Sequence, residues 1–127
     1  MARIPVFAAN WKMHKTVLET VAWIREFAAL GKTFRADQAE VIVAPPFTAI
    51  HAAAETARTS SVAIAGQDLY FERQGAFTGE VSGAMLKDAG AEFVIIGHSE
   101  RRRLFGDTDA WVNRKLIAAR QAELTPI

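Results

Sequence analysis

Four short apolar runs, each followed by a stretch with helical periodicity, restrict this chain more than any other feature. They are Ile4–Ala9, Val41–Ala44, Val62–Ala65 and Phe93–Ile96. Near-continuous apolar runs of this length read as strands buried on both faces. Strict alternation of strand and helix implies a parallel sheet with right-handed crossovers. Polar side chains gather just after two of these strands, as Asn10-Trp11-Lys12 and as Gly97-His98-Ser99-Glu100-Arg101-Arg102-Arg103. In folds built from repeated strand–helix units, the C-terminal ends of the strands are where chemistry is done.

Local signals punctuate the alternation. Thr16-Val17-Leu18-Glu19 matches a capping box. Val17, Val21, Ile24 and Ala28 then mark one helical face, with Leu18 and Phe27 beside it and Gly31 as a left-handed stop. Pro45-Pro46 ends the second strand. A helix over Ile50–Ala57 is expected next, capped near Thr48. Gln67 to Gly79 is a long connection carrying Tyr70, Phe71 and Phe77, and long ordered loops are often functional. Ser82–Ala89 reads as a short helix stopped by Gly90. Asp107-Thr108-Asp109 opens the last helix, with Val112, Leu116 and Ala119 on its apolar face to about Ala122. Leu124-Thr125-Pro126-Ile127 resembles the opening of a fifth strand. A chain that stops inside a buried strand reads as truncated.

The 127 residues fit one small domain, and half of them are apolar, enough for a core. Lys and Arg number 15 against 14 Asp and Glu, which argues against a broad nucleic-acid or membrane-surface footprint. There is no cysteine, so disulfides and thiolate chemistry are excluded. No apolar run reaches the length of a membrane span. MARIPVF lacks the layout of a signal peptide, and a cytoplasmic location is expected.

Each polar residue has two readings. His98 is either a hydrogen-bonded structural histidine or an acid–base group. Lys12 is either solvated or directed at an anionic ligand. Asn10, two residues earlier on an extended segment, should share its side, and Trp11 should point the other way into packing. Glu100 is either part of a reacting site or an ion-pair partner of Lys12 or an arginine. The Gln67–Glu80 loop is either mobile surface or, given its aromatics, a surface with a partner. His14 and His51 read as surface residues.

Four separated motifs bear on these readings: Ala9-Asn10-Trp11-Lys12-Met13, Ala44-Pro45-Pro46-Phe47, Gly75-Ala76-Phe77-Thr78-Gly79-Glu80 and Gly97-His98-Ser99-Glu100-Arg101-Arg102. In this order and context they resemble the triosephosphate isomerase family, from Pro5 to Ile127. The resemblance implies the first four βα units of a (β/α)₈ barrel, a half-barrel of parallel strands forming one partial domain over 1–127. It implies interconversion of dihydroxyacetone phosphate and glyceraldehyde 3-phosphate through an enediolate, in glycolysis and gluconeogenesis, by a homodimer with no cofactor and no metal. His98 would be the neutral electrophile that polarises the substrate oxygens. A helix N-terminus near residues 98–102 would favour that neutral form. Lys12 would steer the phosphate and stabilise the enediolate oxygen, and Asn10 would donate to the same oxygens. Glu100 would organise the site or take part in proton transfer.

The Gln67–Glu80 loop resembles a dimerisation loop with Thr78 at its tip, and Glu80 would pair with Arg101 of the same subunit. The family's base, a glutamate after the sixth strand, has no counterpart here. The fragment is therefore expected to be inactive alone. The alternative is a non-catalytic half-barrel that self-associates through its open edges. Asp68 stands where the family often has Asn, Ala110 where Glu is frequent, and Glu123 where a glycine stop is usual.

Overall fold

The computed structural model describes residues 3–31 and 38–127. Five strands lie in the order β1 (Val6–Asn10), β2 (Glu40–Ala44), β3 (Val62–Gly66), β4 (Phe93–Val94) and β5 (Thr125–Pro126). Every neighbouring pair is parallel. The register runs Val6 beside Glu40 to Asn10 beside Ala44, so the first two strands end level. β4 is shorter than the apolar run suggests. Its hydrogen bonding nevertheless continues, from the Ile95 N–H to the Gly66 carbonyl and from the Ile96 N–H to the Ile127 carbonyl. The fifth strand expected at Thr125 is formed.

Alternation along the strands builds two layers. Val41, Val43, Val62, Ile64 and Val94 meet Ile24, Ile50, Ala53, Leu86 and Ala119 in the main core. Ile42, Ala44 and Ala65 point to the opposite face, against Ala63, Phe93 and Ile95. That is the period-two geometry of strands covered on both sides. β1 differs. Its first four residues are exposed, with Val6 at 54% and Phe7 at 58%, because it forms an open edge.

The helices are α1 (Val17–Leu30), α2 (Ile50–Ala57), α3 (Gly83–Asp88), α4 (Ser99–Phe105) and α5 (Asp109–Gln121). The capping box is present: Thr16 N–H donates to Glu19 Oε2 at 2.7 Å, and the Thr16 hydroxyl accepts from the Glu19 N–H. Several local expectations change. The buried face of α1 carries Thr20 and Ile24, while Val17 and Leu18 stay exposed. Thr20 tolerates burial because its hydroxyl donates to the Thr16 carbonyl at 2.8 Å. Gly31 has φ −77° and is not a left-handed stop. Thr48 caps nothing; a 3₁₀ turn at Phe47–Ala49 leads into α2 with no side-chain cap. Two helices follow β4: α4 begins at the helix N-terminus expected near residues 98–102, and Gly106 at φ 75° stops it before Thr108 caps α5. On α5 the buried residues are Lys115 and Ala119, and Leu116 faces outward. Glu123 does adopt a left-handed backbone, φ 58°, with Lys87 Nζ donating to its carbonyl at 3.0 Å.

Candidate functional site

The C-terminal ends of β1, β3 and β4 bring Asn10, Lys12, Gln67, Asp68, His98, Glu100 and Arg101 to one cleft of about 510 Å³. The chain reaches it from β4 through Gly97, φ 69°, where a Cβ would lie 3.0 Å from Val112. Only glycine combines that backbone with that approach. His98 follows immediately and is the N-cap of α4.

Its ring caps the helix directly. Nδ1 accepts the backbone N–H of Glu100 at 3.1 Å. A nitrogen that accepts carries no proton, so the single proton of the neutral ring sits on Nε2, which is a donor. Glu100 Oε2 lies 3.6 Å from Nδ1, too far to displace that bond. His98 is half-buried.

Lys12 stands across the cleft, its Nζ 2.6 Å from Glu100 Oε1. The hydrogen bond from Lys12 is the main reason the Glu100 carboxyl lies below its ordinary value; desolvation opposes it, and the charge of Lys12 adds to it. Asn10 Oδ1 accepts the Lys12 N–H at 2.9 Å, which leaves the Asn10 amide nitrogen as its donor. Asn10 and Lys12 do come together, but not through the alternation of an extended strand. Lys12 has φ 55°, a left-handed backbone. Trp11 packs edge-on against Trp23 at 5.0 Å, as its position suggests.

Arg101 is placed differently from expectation. Its Nε lies 3.1 Å from Asp68 Oδ2 and 3.6 Å from Asp107 Oδ2. Among the described residues Glu80 forms no ion pair, and both Glu80 and Thr78 are exposed. Asp68, two residues past the end of β3, takes the arginine because it is already buried beside it. Lys115 completes this cluster, with Nζ at 2.8 and 3.0 Å from Asp68 and 2.8 Å from Asp107. Burial pushes the Asp68 carboxyl up, although Lys115 and Arg101 both work against it. This cluster has almost no local mark in the sequence. Its signal was a lysine on the α5 stripe between Val112 and Ala119.

The Gln67–Glu80 loop is tied to α5 by aromatic contacts. Phe71 meets the Trp111 ring edge-on at 5.4 Å, and the Arg114 guanidinium lies 3.5 Å from the Phe71 centroid. Arg114 also donates to Glu72 at 3.0 Å. His14 lines the cleft, and His51 is exposed on α2. No group of His, Asp and Glu arranged to hold a metal occurs among the described residues.

The family model for triosephosphate isomerase matches residues 5–127. The chain belongs to the triosephosphate isomerase family. It is 53% identical over 125 residues to the triosephosphate isomerase of Moorella thermoacetica, covering 98% of this chain and 49% of that relative. It is 53% identical over 126 residues to that of Chloroflexus aurantiacus, with the same coverage, 98% and 49%. The crystal structure of triosephosphate isomerase from Bartonella henselae superposes with a TM-score of 0.88 at 37% identity, over 96% of this chain and 49% of the other. The five parallel strands are thus a curled part of a TIM barrel. The chain spans about half the length of the curated relatives it matches. Within the family barrel, the cleft holds one N–H donor on His98, one ammonium on Lys12 and one amide on Asn10. Together they can bind an oxygen that gains negative charge.

Proposed function

We propose that this chain provides the electrophilic half of a triose-phosphate isomerase site. In the completed barrel the reaction interconverts dihydroxyacetone phosphate and glyceraldehyde 3-phosphate, within glycolysis and gluconeogenesis. A carboxylate base takes the proton from the carbon beside the carbonyl. The C–H electrons form the enediolate double bond, and the carbonyl oxygen takes the charge. His98 Nε2–H donates to that oxygen, Lys12 neutralises its charge and the phosphate's, and Asn10 adds a hydrogen bond. His98 then moves the hydroxyl proton across to the charged oxygen, the oxygen that lost it becomes the new carbonyl, and the base returns its proton to the neighbouring carbon. The observation that carries this reading is the Glu100 N–H on His98 Nδ1, which directs a neutral donor at the cleft.

The base comes from outside these residues. The carboxylate beside His98 is Glu100, and Lys12 already holds it at 2.6 Å. Glu100 therefore organises the lysine rather than removing the carbon-bound proton. The reaction calls on no cofactor. The partner is a second copy of the whole barrel, met through Thr78 at the loop tip, Glu80 and Arg101, and the compartment is the cytoplasm. No described helix is long and apolar enough to cross a membrane.

Turnover of dihydroxyacetone phosphate by the 127-residue chain should not exceed that of its His98→Ala variant. Adding the remaining half of the barrel should restore turnover to the parent and not to the variant. Clear turnover by the chain alone would sink the assignment of the base to the other half. One observation favours a second reading, a non-catalytic half-barrel that self-associates: Ile4, Val6 and Phe7 are exposed along the open β1 edge. Sedimentation decides it, since a monodisperse monomer excludes it.

A further inference from the structure

Gln67 follows directly on the last residue of β3, and its side-chain amide binds two carbonyls at once. Nε2 donates to the carbonyl of Lys12 at 2.8 Å and to that of Ala44, the end of β2, also at 2.8 Å. An amide nitrogen has two N–H groups, so both are committed. The Ala44 carbonyl accepts a second bond from the Trp11 backbone N–H at 3.1 Å. Asn10 Oδ1 takes the Lys12 N–H at 2.9 Å. The peptide groups on both sides of Lys12 are therefore fixed, one by its own strand end and one from β3.

Lys12 requires such restraint. Its φ of 55° is a conformation that side chains with a Cβ seldom adopt. Its side chain is 51% exposed, so little packing directs the stem. From this backbone the ammonium reaches Glu100 at 2.6 Å. Gln67 in turn has a fixed base, because the next residue, Asp68, is anchored by Lys115 and Arg101. We propose that Gln67 is a positioning residue for Lys12: by joining the Lys12 and Ala44 carbonyls it locks the left-handed backbone from which the ammonium enters the cleft. Its importance for catalysis rests on the isomerase reading; the placement of Lys12 does not.

The test is nuclear magnetic resonance on the labelled 127-residue chain, following the Glu100 side-chain carboxyl through a pH titration. In the parent it should titrate below an ordinary glutamate, and in Lys12→Met it should return to the ordinary value. Gln67→Met keeps the side-chain length and removes both donors. Its Glu100 midpoint should move at least halfway from the parent towards Lys12→Met, while the Leu69 and Val94 amide shifts hold. A Gln67→Met titration that overlays the parent would overturn the proposal, and so would a Lys12→Met variant that leaves Glu100 unmoved. Should Gln67→Met fail to fold, the parent alone decides the matter. Through-hydrogen-bond couplings from Gln67 Nε2 to the carbonyl carbons of both Lys12 and Ala44 support the clamp, and a missing coupling to Lys12 refutes it. Neither readout needs turnover, so a failure of the isomerase reading would leave both results standing.

Discussion

Lys115 shows what a single residue costs and contributes in this molecule. It is 1% exposed, yet it is matched by two carboxylates that would otherwise be buried without a cation in hydrogen-bond contact. Lys115→Met should therefore destabilise the chain by about 3–5 kcal/mol, the range for breaking a buried pair from one side. Urea unfolding measures this, and an unchanged midpoint would show that the cluster is neutralised some other way. Asp68 is charged at a cost. Its folded carboxyl lies above the ordinary value, so its contribution to stability is complete below about pH 3.8 and falls as pH rises through the folded value. In the sequence, Asp68 stands out only as a departure from a family pattern, and nothing marks Lys115. Lysines on helices are usually solvated, and nothing local announces two acids placed 47 and 8 residues away.

At the scale of elements, the strongest local signal is the capping box of α1. Thr16→Ala removes one acceptor for the free N–H groups of the first turn. It should cost about 1 kcal/mol, read as a lower thermal or urea midpoint. Signals of this kind were legible because caps and periodicity act within one or two helical turns. The Thr16 and Thr108 caps and the Ser82 start follow from neighbouring residues alone. α4 was hidden except for its start. Its sequence, Ser99-Glu100-Arg101-Arg102-Arg103-Leu104-Phe105, has no apolar stripe, and none of its residues is buried. Its start is set by His98 and its end by Gly106 rather than by a core-facing pattern. α2 erred the other way. Thr48 is a good capping residue by type, but the two prolines before it lead into a tighter turn that takes its place.

On the scale of the whole molecule, β1 is the exposed feature. Its outer residues Val6 and Phe7 carry apolar area that the rest of a barrel would cover. If the chain self-associates through this edge, Phe7→Lys should shift it toward monomer in sedimentation, since a charged edge resists pairing. An unchanged distribution would place the contact elsewhere.

The amino-acid sequence by itself determined the strands and their parallel pairing and put Asn10, Lys12, His98 and Glu100 at strand ends, because alternation, caps and strand-end motifs are all local; Gln67 and His14 on the same cleft carried no such signal. Tertiary structure alone decided how those residues are held. The Lys12–Glu100 bond spans 88 positions and the Gln67–Lys12 bond spans 55. The left-handed backbone at Lys12 has its N–H held by Asn10 of its own strand and its carbonyl held by Gln67, just beyond the end of β3. Arg101 turned away from Glu80 because a buried carboxylate at the end of β3 was already beside it. Burial and charge matching are properties of the assembled fold, and no stretch of the chain carries them alone.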